Sequence, residues 1–289
     1  MKNTLILLST LIMLSSCSKD DDIQVTEPKL IIKLVLNENQ ERLGNAGNPV
    51  SIPTGNAGQT PLVNGISAHY LELAQGPYTL LGNGEVIYHA PETAMGGENA
   101  IDFSKAIIKK SNEVYLEIPL KDVSPGEYEW VRLSLSYQNA DVQFYYNNLP
   151  YTGTIASFLG FNNYIVSYKI KNLTQTVNAN KKQGYWGFES IAGIQTGQSP
   201  AGATTVPNPL SATSPIPSGS CVVTGKFADK LIINNNESKN IEVMMNLSIN
   251  KSFEWIDVNG NGKWDVDVNS GENVVDMGLR GLIPTWQKK

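Results

Sequence analysis

The sequence predicts an all-β fold, an antiparallel β-sandwich carrying long loops, and three observations lead there. Short segments rich in β-branched and aromatic residues recur between clusters of Gly, Pro and Asn. Within Glu127 to Tyr137 apolar and polar residues alternate, as in a strand with one face inward. The spacing of three to four residues that marks an amphipathic helix is almost absent.

Taken in order, the predicted strands begin with Leu30 to Leu36, Ile66 to Leu73, Val86 to His89 and Val114 to Ile118. Ser124-Pro125-Gly126 then makes a turn that launches Tyr128 to Tyr137. Val131, Leu133, Leu135 and Tyr137 share one parity, whereas Tyr128 and Trp130 fall on the other, a reversal that a β-bulge near Trp130 would produce. Val142 to Tyr146, Tyr164 to Ile170, Gly184 to Glu189, Cys221 to Phe227, Leu231 to Ile233 and Ile241 to Ile256 complete the set. Three long stretches interrupt this rhythm: Asn37 to Asn64, Ala90 to Lys105, and Gln195 to Ser220 with its prolines at 200, 207, 209, 215 and 217. Such lengths suit binding loops or covers for sheet edges. One domain over residues 29–289 is expected, with a division near Gln195 as the alternative.

The first sixteen residues read as a signal peptide. Lys2 supplies a positive start, and the apolar run Thr4 to Leu14 is shorter than the roughly 20 residues that cross a bilayer. The segment ends in Leu14-Ser15-Ser16-Cys17, which resembles the bacterial lipobox. That resemblance implies cleavage before Cys17 and lipidation of its thiol, and several acyl chains on one residue give stable membrane anchoring. Residues 17–28 then read as a flexible acidic tether. Its run Ser18-Lys19-Asp20-Asp21-Asp22 is similar to the export signal of Bacteroidetes surface lipoproteins, which implies an outer-membrane protein displayed at the cell surface. A solvated spacer is the plainer reading of the same charges.

Composition narrows the partners. The chain carries a formal net charge of −5, and losing Lys2 with the signal peptide makes the remainder more negative still. No basic footprint for nucleic acid is present. With Cys17 acylated, Cys221 is the single remaining thiol, so internal disulfides are excluded and stability must come from burial. In CVVTGKF, Cys221 reads as a small buried hydrophobe.

The most chemical segment is Asp257-Val258-Asn259-Gly260-Asn261-Gly262-Lys263-Trp264-Asp265. Oxygen-bearing side chains at Asp257, Asn259, Asn261 and Asp265 occupy positions 1, 3, 5 and 9 of a calcium loop. Gly262 takes the sharp-turn position, and the Lys263 carbonyl the next. Position 12 is Val268 where an EF-hand needs a bidentate Glu, so the segment departs from that pattern. It is similar instead to the DxNGNGxWD loops of extracellular bacterial proteins, with Glu272 expected to close the site and Asp267 as the alternative. A pair of ion-free Asn-Gly turns is the competing reading. Calcium held here is expected to be structural.

Catalytic motifs are not found: the chain has two histidines, His69 and His89, no zincin or nucleophile-elbow pattern and no phosphate-binding loop. A carboxylate pair of the glycosidase kind assembles only in space and stays open. His69 reads as an exposed or groove-facing strand residue, with metal ligation the minor alternative. Tyr145-Tyr146 and Tyr185-Trp186 offer either a sugar-stacking platform or ordinary core rings. The phrases His69-Tyr70, Pro125-Gly126-Glu127-Tyr128 and Gly184-Tyr185-Trp186-Gly187-Phe188-Glu189 resemble the MbnP-like β-sandwich proteins. That resemblance implies an association with copper but does not place its ligands. The overall expectation is a non-enzymatic, lipid-anchored surface module that binds a glycan, protein or nutrient and holds structural calcium. Metal handling is the alternative, and a carboxylate-based glycan hydrolase the more distant one.

Overall fold

Residues 27–43, 48–199 and 222–289 are described by the computed structural model. The signal peptide, Cys17, most of the tether, Cys221 and the stretch from Pro200 to Ser220 lie outside the described residues. Within them the chain runs through β1 (Lys29–Asn37), β2 (Asn56–Gln59), β3 (Leu62–Ala74), β4 (Glu85–His89), β5 (Glu92–Thr93) and β6 (Ala100–Asp102). Next come β7 (Val114–Pro119), β8 (Gly126–Tyr146), β9 (Leu149–Phe158), β10 (Asn163–Lys169), β11 (Thr174–Lys181) and β12 (Tyr185–Ser190). The last six are β13 (Gly193–Gln198), β14 (Val222–Ile233), β15 (Ile241–Ser248), β16 (Phe253–Ile256), β17 (Val274–Asp276) and β18 (Leu282–Lys288). No α-helix occurs among the described residues, and the predicted all-β class is the observed one.

β8 is the spine of the large sheet, ordered β13-β12-β9-β8-β3-β4. Its first half also pairs with β14, from Ile233 opposite Gly126 to Val222 opposite Ser134, and its second half with β9. A second sheet, β18-β15-β1-β7, packs on the first half. Leu30, Ile32 and Leu34 point into that interface at the period of two their strand requires, with Val243, Met245 and Leu247 beside them. They meet Leu71, Leu73, Val131, Leu133 and Leu135 in the main core of this sandwich. Tyr128 belongs to the same core as Val131 although the two are three positions apart. The compensating irregularity lies on β14, where Lys226 stands opposite Trp130 and Leu231 already opposite Tyr128.

Along the second half of β8 both faces are covered. Tyr137, with Phe158, Tyr168 and Tyr185, packs under the sheet β11-β10-β6-β5. On the opposite face Ala140, Val142 and Ile155 pack against Phe253 and Trp255 of the small sheet β17-β16-β2. Tyr185 and Trp186 therefore point into different cores, and the predicted aromatic platform does not share one face.

Several expectations need correction. The sandwich is mainly antiparallel, as expected, but contains two parallel pairings, β1 with β15 and β10 with β6. Tyr128 to Tyr137 and Val142 to Tyr146 form one strand, because the polar residues between them are satisfied in place. Asn139 donates to the Ile170 carbonyl at 2.8 Å, and Asp141 accepts from the Thr154 hydroxyl at 2.6 Å. Ile241 to Ile256 is two strands, divided at a turn in which Ser252 N donates to Ile249 O and Lys251 adopts φ 47°. The stretches Asn37 to Asn64 and Ala90 to Lys105 contain β2, the start of β3, β5 and β6. β9, β11, β13, β17 and β18 were not anticipated.

Candidate metal centres

The Asp257 loop leaves β16 and returns to the end of β8. Gly260 and Gly262 both take φ 70°, the left-handed conformation for which glycine is suited, and so reverse the chain twice within a few residues. Asp257 accepts from Asn261 N at 3.1 Å and Gly262 N at 2.9 Å. Asn259 Oδ1 accepts from Asn261 N and Asn261 Oδ1 from Lys263 N, so each amide oxygen keeps a second lone pair. Both amide groups donate to Asp265 Oδ2, at 2.8 Å each. Asp265 N in turn donates to Glu272 Oε2 at 2.7 Å. Glu272 Oε1 is buried without a hydrogen-bond partner. Burial, reinforced by the charges of Asp265 and Asp257, raises the Glu272 pKa.

The predicted loop residues are thus gathered, with two qualifications. Lys263 O already accepts the Trp255 indole N–H at 3.0 Å, leaving one lone pair free. Asp267 accepts from Asn147 N, in the β8–β9 turn, and only Glu272 of the two closing candidates meets Asp265. Asn148, Asn259, Asn261, Asp265, Asp267 and Ser270 border an open depression of about 560 Å³. Two backbone bonds, Tyr145 N to Trp264 O and Val266 N to Tyr145 O, fasten the loop to β8. Beneath it Trp264 packs on Phe253, with ring centroids 4.9 Å apart.

A second cluster lies at the opposite region of the large sheet. In the pairing of β3 with β8, Ala68 stands opposite Leu135 and Tyr70 opposite Ser134, so His69 is the extra residue of a bulge. Bulges re-aim a side chain, and here the imidazole turns toward His89 at the end of β4, ring centroids 4.9 Å apart. Pro91 cannot prolong β4 as a paired strand, and the chain turns to bring Glu92 alongside. Glu92 Oε1 lies 3.2 Å from His69 Nε2 and 3.6 Å from His89 Nε2. All three ligating atoms fall within 4.8 Å of one another.

The surroundings orient each member. His89 Nδ1 lies 3.0 Å from the Ala90 carbonyl, a contact that orients the ring with Nε2 on the Glu92 side. Asn99 donates to the outer oxygen of Glu92. Phe161 stacks on His69 at 5.7 Å with planes 10° apart. Burial, more than the neighbouring His89, lowers the His69 pKa and outweighs the hydrogen bond to Glu92, which acts to raise it. Burial acts to raise the Glu92 pKa, but hydrogen bonds from Asn99 and His69 outweigh it and the net shift is downward. A tetrahedral ion with bonds of about 2.0–2.1 Å sets its ligand atoms roughly 3.4 Å apart; the two His-to-Glu92 distances of 3.2 and 3.6 Å lie near that value, and all three atoms fall within 4.8 Å, so binding would draw the group somewhat closer. Side-chain exposure rises from 13% at His69 to 49% at His89, so the cluster opens to solvent on the His89 side.

Glu92 was missed in the sequence. Its signal was the spacing His89-Ala90-Pro91-Glu92, hidden in a stretch read as loop. The chain matches no family model, no curated protein and no solved structure.

Proposed function

We propose that this chain is a membrane-anchored metal-binding protein whose functional centre is His69, His89 and Glu92, taking a divalent transition-metal ion. One observation carries the reading: two imidazole nitrogens and a carboxylate oxygen converge within 4.8 Å of one another, with the His89 ring oriented by the Ala90 carbonyl. Imidazole with carboxylate suits Zn²⁺ or Cu²⁺, whereas soft monovalent copper prefers sulfur. Three protein ligands leave a coordination position for water or an incoming donor, which suits exchange of the ion. Hydrogen bonds to the outer atoms of His89 and Glu92 supply the orientation that metal ligands commonly need. The likeness to the copper-associated MbnP-like proteins agrees with this assignment.

Calorimetric titration with Zn²⁺ and Cu²⁺ tests it. The wild-type chain should bind one ion, and His89→Ala and Glu92→Gln should each weaken binding by about 10–100-fold or more. His89 is half exposed, so its loss should leave the fold intact. Absence of binding to wild type, or wild-type affinity in both variants, would sink the assignment.

The lipobox resemblance at Cys17 supports anchoring in the outer membrane, and the acidic run after it supports display at the cell surface. Radiolabelled palmitate should enter the wild-type chain expressed in a bacterial host, and Cys17→Ser should abolish the label. A labelled Cys17→Ser variant would refute the anchor.

A further inference from the structure

The Asp257 loop gathers charge that forms no ion pair among the described residues. Asp257, Asp265, Asp267 and Glu272 lie in one short segment in which Lys263 is the single cation. The Lys263 ammonium forms no ion pair with them: it lies 3.1 Å from Asn148 Oδ1 and sits over the Tyr145 ring at 4.9 Å. In its place the amide groups of Asn259 and Asn261 both point at Asp265 Oδ2.

An independent observation comes from Glu272. This residue is 7% exposed, its Oε2 is held by the Asp265 amide, and its Oε1 is buried without a partner. A buried carboxylate oxygen left unpaired is costly, and a cation is the partner that repays it. Both Asp257 and Asp265 act on Glu272 electrostatically, so the orphaned carboxylate belongs to the same cluster.

We infer that the Asp257 loop and Glu272 form a calcium site. Its ligands are carboxylate oxygens of Asp257, Asp265 and Glu272, the amide oxygens of Asn259 and Asn261, and the Lys263 carbonyl. These six are all hard oxygens, the kind and number that Ca²⁺ takes at 2.3–2.6 Å in flexible surroundings. Mg²⁺ is smaller, demands near-ideal octahedral geometry and keeps its water, so the site should discriminate against it. No imidazole takes part, which separates this site from the His69 centre. Binding would tie the Asp257–Asp265 turn to the residues leading into β17. It would also rigidify a loop whose neighbours, Trp255 and Trp264, donate their indole N–H groups to Lys263 O and Glu272 O.

The experiment is a calcium titration of the chelator-treated full chain, followed by tryptophan emission and by melting temperature. Wild type should melt several degrees higher in saturating Ca²⁺, with a parallel change in emission, while Mg²⁺ at the same concentration does little. Glu272→Gln should lose the calcium-induced shift. In chelator it should melt at or above wild type, because a buried charge facing two others has been removed. Asp257→Asn, which can keep one of its local backbone hydrogen bonds, provides a second variant with the same expected loss. His89→Ala should retain the shift, so failure of the His69 centre and failure of this site are read separately. Identical wild-type melts with and without Ca²⁺, a full shift in both Glu272→Gln and Asp257→Asn, or an equal response to Mg²⁺ would overturn the site.

Discussion

Replacing Arg132 by Met should cost about 3–5 kcal/mol in urea unfolding, a substantial share of the stability of a domain. Arg132 and Glu72 are both fully buried, on neighbouring strands where β8 pairs with β3. Arg132 Nη1 reaches Glu72 Oε2 at 3.3 Å, and its guanidinium also donates to the carbonyls of Thr79 and Leu80. Glu72 Oε1 accepts the amides of Gly82 and Gly84. The pair is thus the inner wall of the turn between β3 and β4, and Arg132→Met strands a carboxylate in the interior. Most of the loss is desolvation of Glu72, so Glu72→Gln/Arg132→Met, which keeps an acceptor for the two amides, should recover about half of it. A single-variant loss under about 1 kcal/mol would show that the turn is held by other contacts.

Gly160→Ala should be comparably severe, at about 3 kcal/mol or more. Gly160 sits at φ 75°, and an added Cβ would lie 2.0 Å from the Leu135 carbonyl oxygen and 2.8 Å from Ser134 Oγ. Backbone must therefore move, and the residue next to it is Phe161, the ring stacked on His69. Metal affinity at His69 should fall with stability. Gly55→Ala is the control: it has a similar φ of 88° but open space around the new Cβ, so conformational strain alone should cost about 1 kcal/mol. Equal losses at the two positions would mean that steric collision with Leu135 is not what makes Gly160 necessary.

Strands whose side chains alternate over one buried face were legible in the sequence, as Leu30, Ile32 and Leu34 show. The strands that escaped notice had other signatures. β9 follows Asn147-Asn148, whose φ values of 49° and 61° make the tight turn that two asparagines permit. β18 contains Pro284, tolerated because β18 is an edge of its sheet. The Asp257 loop could be read directly because most of its oxygens are contiguous in the chain, and Glu272 needed only the choice between it and Asp267. The His69 centre could not be read the same way. It depends on a bulge that adds one residue to β3, and on a turn after His89 that carries Glu92 back. The bulge follows from pairing with a strand distant in the sequence, and the short His89-to-Glu92 spacing carries no meaning until that bulge brings His69 beside it.

The length of β8 has a consequence for how the two centres behave together. His69 lies beside the pairing of Tyr70 with Ser134, and the Asp257 loop is bonded to Tyr145, further along the same strand. At about 3.3 Å per residue the strand separates these points by roughly 36 Å. Ionic atmosphere in physiological salt extinguishes electrostatic influence over about 8 Å. If both proposed centres bind, an ion arriving at one end would therefore be screened in charge from the other, and each centre would fill according to the abundance of its own ion.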